Sequence, residues 1–371
     1  MQSAADTQAN PPIAKLTPLG ELLSVIEREV KPVAPRLIAV DDALNTVLAA
    51  DAVAPTSPAK ALALIDGWAL AAEATRDAGG YAPALLPQMP TRVDAGEPLP
   101  PGADCVAPLE AIEVSGGRAE ALLPVNAGDG VLPAGGDCDG KTPLRRAGER
   151  LRALDVAVLT AARIAQVSVR VPRVCIVPIR GDAIIGAAAR LIAGDIARHG
   201  GARDESNDLN TALAGTAVDC IVVIGGTGSG RNDGSVRMLA NNGRLAVHGL
   251  ALMPGETAAF GFVGTRPVLL LPGRLDAALA VWLTVGRQML RRLTGAGAEE
   301  NGETLTLSRK VTSAVGLAEL IPVRRTGDKV EPLASKYLPW SALTQSDGFI
   351  LVPAESEGYS AGSPVSVRPW P

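Results

Sequence analysis

Residues 218–233, VDCIVVIGGTGSGRND, constrain the fold more than any other stretch of the 371-residue chain. Residues 221–224 are all β-branched and apolar, which is typical of a strand buried on both faces of a parallel sheet. The glycines that follow permit positive φ angles and let a ligand approach bare amides. Residues 235–240 read as the start of a helix, so the strand, the loop and the helix together predict an anion site that suits a phosphate.

Two familiar nucleotide-binding motifs do not describe this loop. Gly225 and Gly230 have the spacing of P-loop glycines, but Arg231 and Asn232 follow where Lys and Ser/Thr are required. The loop also lacks the G-x-G-x-x-G spacing of a dinucleotide site. A glycine-rich turn without a ligand therefore stays open as an alternative, because such turns often follow strands.

Composition and charge exclude several classes of protein. The chain is 47% hydrophobic but only 3% aromatic, so its cores are aliphatic. A net charge of −4 argues against a nucleic-acid-binding protein, although it permits a local basic pocket. The four cysteines form no CxxC pair, which disfavours a zinc site or a disulfide framework and indicates a reducing cytoplasm. Neither a signal peptide nor a membrane span is predicted, since no apolar run approaches about 18 residues.

Hydrophobic periodicity predicts a multi-domain α/β and β protein with four domains. These are a helical linker domain (1–44 plus 141–171), an inserted small β domain (45–140), a central open α/β sheet (172–298) and a C-terminal, barrel-like β domain (299–371). Within the first domain we expect a loose tail to about residue 15, a helix that starts at Thr17-Pro18, and a second helix over residues 42–50 capped by Asp41. A single helix is expected over residues 275–293.

The central sheet predicts where a ligand binds. In open α/β sheets, ligands lie beyond the carboxyl ends of the strands. Three loops leave predicted strands there, at residues 180–182, 225–233 and 272–274. We therefore expect these loops to lie close together.

Six short motifs resemble those of the molybdopterin molybdotransferase family, the molybdenum insertases that include the gephyrin E domain. They stand in family order within residues 16–367: IDGWA at 65–69, AGEPLPPGAD at 95–104, PRVCIVPIRGD at 172–182, GGTGSGRND at 225–233, HGLALMPGE at 248–256 and LLPGR at 270–274.

The resemblance implies a four-domain fold, an elongated homodimer and a molybdoenzyme client that receives the cofactor. It implies that adenylated molybdopterin and molybdate bind, that the nucleotide anhydride is cleaved with Mg²⁺, and that molybdenum is inserted into the dithiolene. Catalysis would fall to Asp66, Asp182 and Asp233, with Mg²⁺ on Asp182 and Asp233. The matching cofactor-binding positions are Arg180, Gly181, Gly225, Gly226, Ser229, Gly230, Arg231, Pro254, Gly255, Pro272, Gly273 and Arg274.

The sequence also departs from the family pattern at charged positions. The family glutamate after Asp182 is Ala183, and the two lysines of the KPGK motif are Met253 and Glu256. Smaller changes place Ala95 and Gly228 where the family has Thr and Ser. An acid in place of a cation disfavours a bound oxyanion by about 1 kcal/mol or more. We expect three loop arginines to restore the charge: Arg180, Arg231 and Arg274.

Three functions are consistent with these substitutions. The first is a divergent molybdotransferase that inserts molybdate. The second is a non-catalytic carrier of the molybdenum cofactor, or a chaperone for one molybdoenzyme. The third is a structural dimer with a vestigial pocket. The three aspartates have a plain alternative too, because Asp favours turns whether or not it binds anything.

Overall fold

A computed structural model describes residues 10–79, 81–230, 233–297 and 302–371. The chain divides into two compact units. The smaller unit takes residues 51–146 and 155–165, and the larger unit takes the rest. No helix of the described residues is long and apolar enough to cross a membrane.

The strands are short in the smaller unit and longer in the larger one. In chain order they are β1 Thr17–Pro18, β2 Arg36–Ala39, β3 Val47–Leu48, β4 Leu62–Ala63, β5 Gly67–Leu70, β6 Ala84–Leu85, β7 Thr91–Val93, β8 Cys105–Pro108, β9 Ile112–Ser115, β10 Arg118–Ala121, β11 Val131–Leu132, β12 Gln166–Arg170, β13 Arg173–Pro178, β14 Ala202–Glu205, β15 Cys220–Ile224, β16 Arg244–His248, β17 Leu250–Met253, β18 Ala259–Val263, β19 Arg266–Leu271, β20 Glu303–Leu307, β21 Val311–Thr312, β22 Ala318–Thr326, β23 Lys329–Pro332, β24 Gly348–Val352, β25 Gly358–Tyr359 and β26 Pro364–Pro369.

The helices fall mainly in the larger unit. They are α1 Leu19–Glu29, α2 Ala153–Ala161, α3 Ala183–Arg198, α4 Leu209–Ala214, α5 Ser235–Asn242, α6 Leu275–Val281, α7 Arg287–Thr294 and α8 Trp340–Gln345, with 3-10 turns at Val40–Asp42, Ala72–Thr75 and Leu109–Ala111 and a π turn at Trp282–Gly286.

A six-stranded sheet in the order β14-β13-β15-β19-β18-β16 forms the centre of the larger unit. Strands β14, β13, β15 and β19 are parallel, β18 runs antiparallel to β19, and β16 runs antiparallel to β18. Every residue of β15 is 0% exposed. The prediction of a strand buried on both faces is therefore confirmed, because β15 lies between two parallel neighbours and apolar side chains cover both of its faces.

The C-terminal region forms a closed five-stranded barrel, as the alternating pattern predicted. Strands β22, β23, β20, β26 and β24 pair in that order, and β24 pairs again with β22 to close the ring. Strand β17 joins this barrel by pairing in parallel with β22, and β1 pairs in parallel with β17. The barrel is filled by aliphatic side chains such as Ile321, Val323 and Val352.

The smaller unit consists of short antiparallel sheets, as expected from its glycine- and proline-rich sequence. The sheets are β7-β5-β8, β6-β10-β9 and the β4–β11 pair. The division of the chain into four domains stays a prediction.

Three local predictions are wrong. Residues 42–50 do not form a helix, because Val47 and Leu48 pair with β12 and Asn45 has a positive φ of 64°. The helix expected to start at Thr17-Pro18 begins at Leu19 and has no side-chain cap, because Thr17 and Pro18 form strand β1. The helix expected over residues 275–293 is interrupted by the π turn between α6 and α7.

A buried carboxylate connects α3 to this π turn. Asp195, at 0% exposure, accepts hydrogen bonds from Trp282 Nε1 at 2.7 Å and from Arg287 Nε at 2.8 Å and Nη2 at 2.9 Å. His199 Nδ1 lies 3.4 Å from the same carboxylate. Burial raises the pKa of Asp195, but the hydrogen bonds from Arg287 and His199 outweigh it and hold the pKa well below its usual value.

Candidate functional site

The three predicted loops leave neighbouring strands of the central sheet and lie close together. Gly225 N donates to Leu271 O at 2.9 Å, and Ile179 N donates to Ile224 O at 3.0 Å. A Cβ placed on Gly273 would lie 3.6 Å from Gly225 Cα. The expectation that these loops share one edge of the sheet is therefore confirmed.

Glycine is required at the first two positions of the central loop. Gly225 has φ of 98° and Gly226 has φ of 73°, in the region that L side chains rarely adopt. A Cβ on Gly226 would lie 2.3 Å from Ser235 Oγ. The loop is thus closely packed against the start of α5, and Ser235 Oγ donates to Gly225 O at 3.1 Å. Ser229 and Gly230, further along, are exposed.

Asp233 forms an ion pair across two of the loops. Its Oδ1 lies 3.3 Å from Arg180 Nη2, and its Oδ2 accepts a hydrogen bond from Gly230 N at 3.1 Å. Arg180 is 50% exposed and Asp233 is 20% exposed. The structure therefore brings two predicted site residues together, but the carboxylate neutralises much of the cation. Arg231 lies outside the described residues.

Asp182 is the N-cap of α3. Its Oδ1 accepts a hydrogen bond from Ile185 N at 2.8 Å, which is the usual geometry of an Asp cap. Gly181 precedes it on the exposed part of the loop. Capping alone would account for this aspartate, so its catalytic role stays a prediction.

Arg274 is held in place by two neighbours on the loop after β19. Its Nη2 lies 2.5 Å from Asp276 Oδ2, and its guanidinium carbon lies 4.9 Å from the centre of the Tyr337 ring. The hydrogen bond to Asp276 raises the pKa of Arg274, although burial acts against it. Asp276 is 3% exposed and also accepts from Leu338 N at 3.2 Å. Arg274 itself is 57% exposed, so part of its guanidinium faces outward.

The HGLALMPGE motif lies beside the glycine loop. Thr227 Oγ1 lies 3.0 Å from Oγ1 of Thr257, the residue directly after this motif. Burial lowers the pKa of His248, and a hydrogen bond with the Thr227 backbone opposes this shift. Pro254 is buried, and Gly255 N donates to Glu256 Oε2 at 2.8 Å. The acid that replaces a family lysine is thus bound to its own turn.

The start of α5 is not open to an anion in the way that the sequence suggested. Asn10 reaches it from the N-terminal segment and is only 9% exposed. Its Oδ1 accepts from Val236 N at 3.1 Å and Arg237 N at 3.2 Å, and its Nδ2 donates to Gly226 O at 2.8 Å and Gly228 O at 2.9 Å. The expectation of a loose tail is wrong at this residue. Sequence reasoning missed Asn10 because 216 residues separate it from Gly226.

Asp66 lies in the smaller unit, where it joins the first two motifs. Its Oδ1 accepts a hydrogen bond from Ala95 N at 2.8 Å, which links IDGWA to AGEPLPPGAD. Strand β5, which begins at the next residue, pairs with both β7 and β8. Asp66 is exposed, and Oδ2 takes no part in this hydrogen bond.

Family models match most of the chain. The model described as "MoeA N-terminal region (domain I and II)" matches residues 17–162, "Probable molybdopterin binding domain" matches residues 181–292, and "MoeA C-terminal region (domain IV)" matches residues 304–370. The chain belongs to the MoeA family. The order of its motifs and the barrel after the α/β sheet agree with this assignment.

Curated relatives are similar over part or all of the chain. A molybdopterin biosynthesis protein of Methanocaldococcus jannaschii is 30% identical over 172 residues, and the match covers 44% of this chain and 40% of that protein. Molybdopterin molybdenumtransferase 1 of Mycobacterium tuberculosis is 26% identical over 234 residues, covering 57% and 55%. The chain therefore spans about half the length or less of these two relatives. Molybdopterin molybdenumtransferase 2 of the same organism is 22% identical and covers 92% and 97%.

A solved structure has the same fold. The molybdopterin biosynthesis protein MoeA of Pyrococcus horikoshii superposes with a TM-score of 0.76 at 24% identity, covering 96% of this chain and 100% of that chain. At this identity the likeness concerns the fold alone.

Proposed function

We propose that the chain is a molybdopterin molybdotransferase that binds adenylated molybdopterin and inserts molybdate. The observation that carries this proposal is the meeting of three loops at the carboxyl edge of the central sheet, where Gly225 and Gly273 lie in contact. Family membership supplies the substrate class, since relatives bear the name molybdopterin molybdenumtransferase.

Backbone groups would hold most of the substrate. The amide of Ser229 in the glycine loop suits a phosphate, because this residue is exposed. The turns at Pro254-Gly255 and Pro272-Gly273 would supply further backbone contacts and the shape of the pocket.

Mg²⁺ fits the carboxylates of this edge. Among the described residues no group of three or more His, Cys, Asp or Glu side chains could form a protein cage for a metal. Mg²⁺ rarely needs one, because it is usually held by one or two carboxylates together with substrate phosphates and water. Asp182 and Asp233 would hold it, and the catalytic role of Asp66, on the smaller unit, stays a prediction. When bound, the cation would neutralise charge on the anhydride as it is cleaved.

The paired arginines favour the second candidate function, a cofactor carrier or maturation chaperone. Arg180 is paired with Asp233 and Arg274 with Asp276, so neither brings a full positive charge to an oxyanion. Glu256 adds a negative charge nearby. A site with so little net positive charge would bind a cofactor through backbone groups but stabilise a charged transition state weakly.

AMP release distinguishes the two functions. The assay combines the protein with adenylated molybdopterin, with and without molybdate and Mg²⁺. An insertase releases AMP in a manner that depends on molybdate, whereas a carrier binds the ligand and leaves it intact. If the ligand does not bind at all, only the fold is shared with the family.

The role of Asp182 can be separated from its cap. Ser is as good an N-cap as Asp, so Asp182→Ser should leave the melting temperature almost unchanged. If Asp182 holds the cation, this variant should lose AMP release by about 100-fold or more. Asp208→Ser is the matched control, because Asp208 caps α4 in the same way, through Thr211 N at 2.8 Å. If both variants release AMP equally well, Asp182 acts only as the helix cap.

The partners follow from the same proposal. The family implies a homodimer in the cytoplasm and a molybdoenzyme client, with no nucleic acid and no membrane. Sedimentation equilibrium should then give about twice the chain mass of 37.9 kDa. A single-chain mass at all concentrations would contradict the homodimer.

A further inference from the structure

The Asn10 side chain makes four hydrogen bonds at the candidate site. Its carboxamide uses both of its functions, since the oxygen accepts from two amides of α5 and the nitrogen donates to two carbonyls of the glycine loop. Helix α5 has Gly234 as N-cap, and no side chain of its own caps it. Asn10 therefore supplies the cap of a helix that lies more than 200 residues away along the chain.

The two bonds to the loop have a consequence for its amides. Gly226 and Gly228 precede trans peptide bonds, in which the carbonyl and the following N–H point in opposite directions. Because Asn10 Nδ2 binds both carbonyls, the N–H groups of Thr227 and Ser229 point away from the Asn10 side chain. Thr227 is 2% exposed whereas Ser229 is exposed, so the amide that a ligand can reach is that of Ser229. An exposed backbone amide that is held in a fixed direction is a donor that an anion can bind.

The exposed Ser229 amide is also available. In the described part of the chain, neither Thr227 N nor Ser229 N donates a hydrogen bond, whereas Gly230 N binds Asp233 and Val236 N binds Asn10. The helix start that the sequence favoured as the anion site is thus occupied by Asn10. The accessible amide that Asn10 orients, that of Ser229, lies earlier in the chain, within the glycine loop.

The N-terminal segment is anchored at its other end as well. Thr17 N donates to Gly249 O at 2.9 Å, and Thr17 pairs with Leu250. A Cβ on Gly249 would lie 2.4 Å from Ile13 Cγ2, so the segment packs tightly against this turn. Asn10 is therefore presented by a segment fixed beside the HGLALMPGE motif, which joins the loop through Thr227 and Thr257.

We propose that Asn10 is a positioning residue, whose side-chain nitrogen fixes the Gly226 and Gly228 carbonyls and so aims the exposed Ser229 amide at a phosphate of the substrate. This inference rests on the proposed function, because it assigns the orientation of the loop that would hold adenylated molybdopterin. The alternative is that the Asn10 oxygen blocks the helix start and keeps a ligand out.

Two substitutions separate the cap from the loop. Asn10→Asp keeps an oxygen that accepts from Val236 and Arg237, and an acid is favourable at a helix N-terminus, so the melting temperature should stay near that of the wild type. It removes the donor to the loop carbonyls. Asn10→Ala removes both functions. Asn242→Ala is the matched control, since the Asn242 side chain donates to Met238 O at 2.8 Å at the other end of α5.

Equilibrium binding of adenylated molybdopterin tests the inference. Both Asn10 variants should bind about 10-fold more weakly, with a raised KM and a smaller change in kcat, while Asn242→Ala binds as the wild type. The loss in Asn10→Asp should persist at high salt, which screens simple charge repulsion. Unchanged affinity in both variants overturns the inference. Tighter binding by Asn10→Ala also overturns it, because it shows that Asn10 keeps the ligand out.

A second measurement needs no ligand. Amide ¹⁵N relaxation of Thr227 and Ser229 should give an order parameter near 0.85 in the wild type and below about 0.6 in both Asn10 variants. Equal order parameters in all proteins contradict a positioning role. If the wild-type protein fails to bind adenylated molybdopterin, the proposed function is refuted, and the relaxation data still decide whether Asn10 orders the loop.

Discussion

Substitution of Asp195 by Asn should destabilise the larger unit severely. The carboxylate is 0% exposed and bonds to Trp282 and to Arg287, whose side chain is 10% exposed. Asn can still accept from Trp282, but it leaves the Arg287 charge buried without a counter-charge. Breaking such a pair costs about 3–5 kcal/mol. That is a large part of an ordinary folding free energy of about 5–15 kcal/mol.

Urea denaturation followed by tryptophan fluorescence measures this change. Asp204→Asn is the control, because Asp204 forms an exposed pair with Arg173 at 2.9 Å and its loss should cost less than about 1 kcal/mol. The double variant Asp195→Leu/Arg287→Met should recover most of the stability, since apolar replacements of buried pairs are often neutral.

The pH dependence gives an independent check. The folded pKa of Asp195 is depressed, so its contribution is present above the unfolded value of about 3.9 and is lost as pH falls through the folded pKa. The difference between wild type and Asp195→Asn should therefore shrink below about pH 4. A cost under about 1 kcal/mol at pH 7 would refute the reasoning, because it would mean that Arg287 finds another partner or water.

Three further predictions concern the loops of the central sheet. Gly226→Ala should lower the free energy of unfolding by about 2 kcal/mol or more in thermal denaturation, because it adds a clash with Ser235 to a positive φ. Gly264→Ala, with φ of 61° and open space around it, should lose only about 1 kcal/mol. Equal losses in the two variants would contradict the clash. His248→Gln should reduce the fall in the free energy of unfolding below about pH 6.5, because the depressed folded pKa of His248 makes the unfolded state bind protons first. Denaturation at pH 7 and pH 5 measures this fall, and a fall equal to that of the wild type would contradict the idea. Arg180→Ala combined with Arg274→Ala should weaken binding of adenylated molybdopterin by about 10-fold in equilibrium dialysis, and unchanged affinity would show that the paired arginines do not replace the missing lysines.

The local sequence pattern predicts much of the fold but only part of the candidate site. The run at residues 221–224 predicts a buried parallel strand because its apolar side chains need cover on both faces. The pattern of residues 42–50 fits a helix, but Val47 and Leu48 pair with β12 in the structure. The pattern cannot show this, because the pairing partners lie more than 100 residues downstream.

The same limit applies to the candidate site. Sequence order and the rule for parallel sheets are enough to bring residues 180–182, 225–233 and 272–274 to one edge. They do not show that Asp233 pairs with Arg180 or that Asp276 pairs with Arg274, because a side chain's partner depends on loop conformation. Asn10 gives no local signal at all, since one asparagine in a polar segment is ordinary.

Strand β17 has neighbours drawn from opposite ends of the chain, and this sets an order of events during synthesis. Thr17 pairs with Leu250, roughly 230 residues later, and a ribosome adding about 5–20 residues per second needs roughly 10–50 s to supply that partner. The other edge of β17 waits longer still, for the barrel strand that begins at Ala318. The nascent chain therefore carries an unpaired N-terminal segment while most of it is made, and the central sheet can be complete before either end is joined to it.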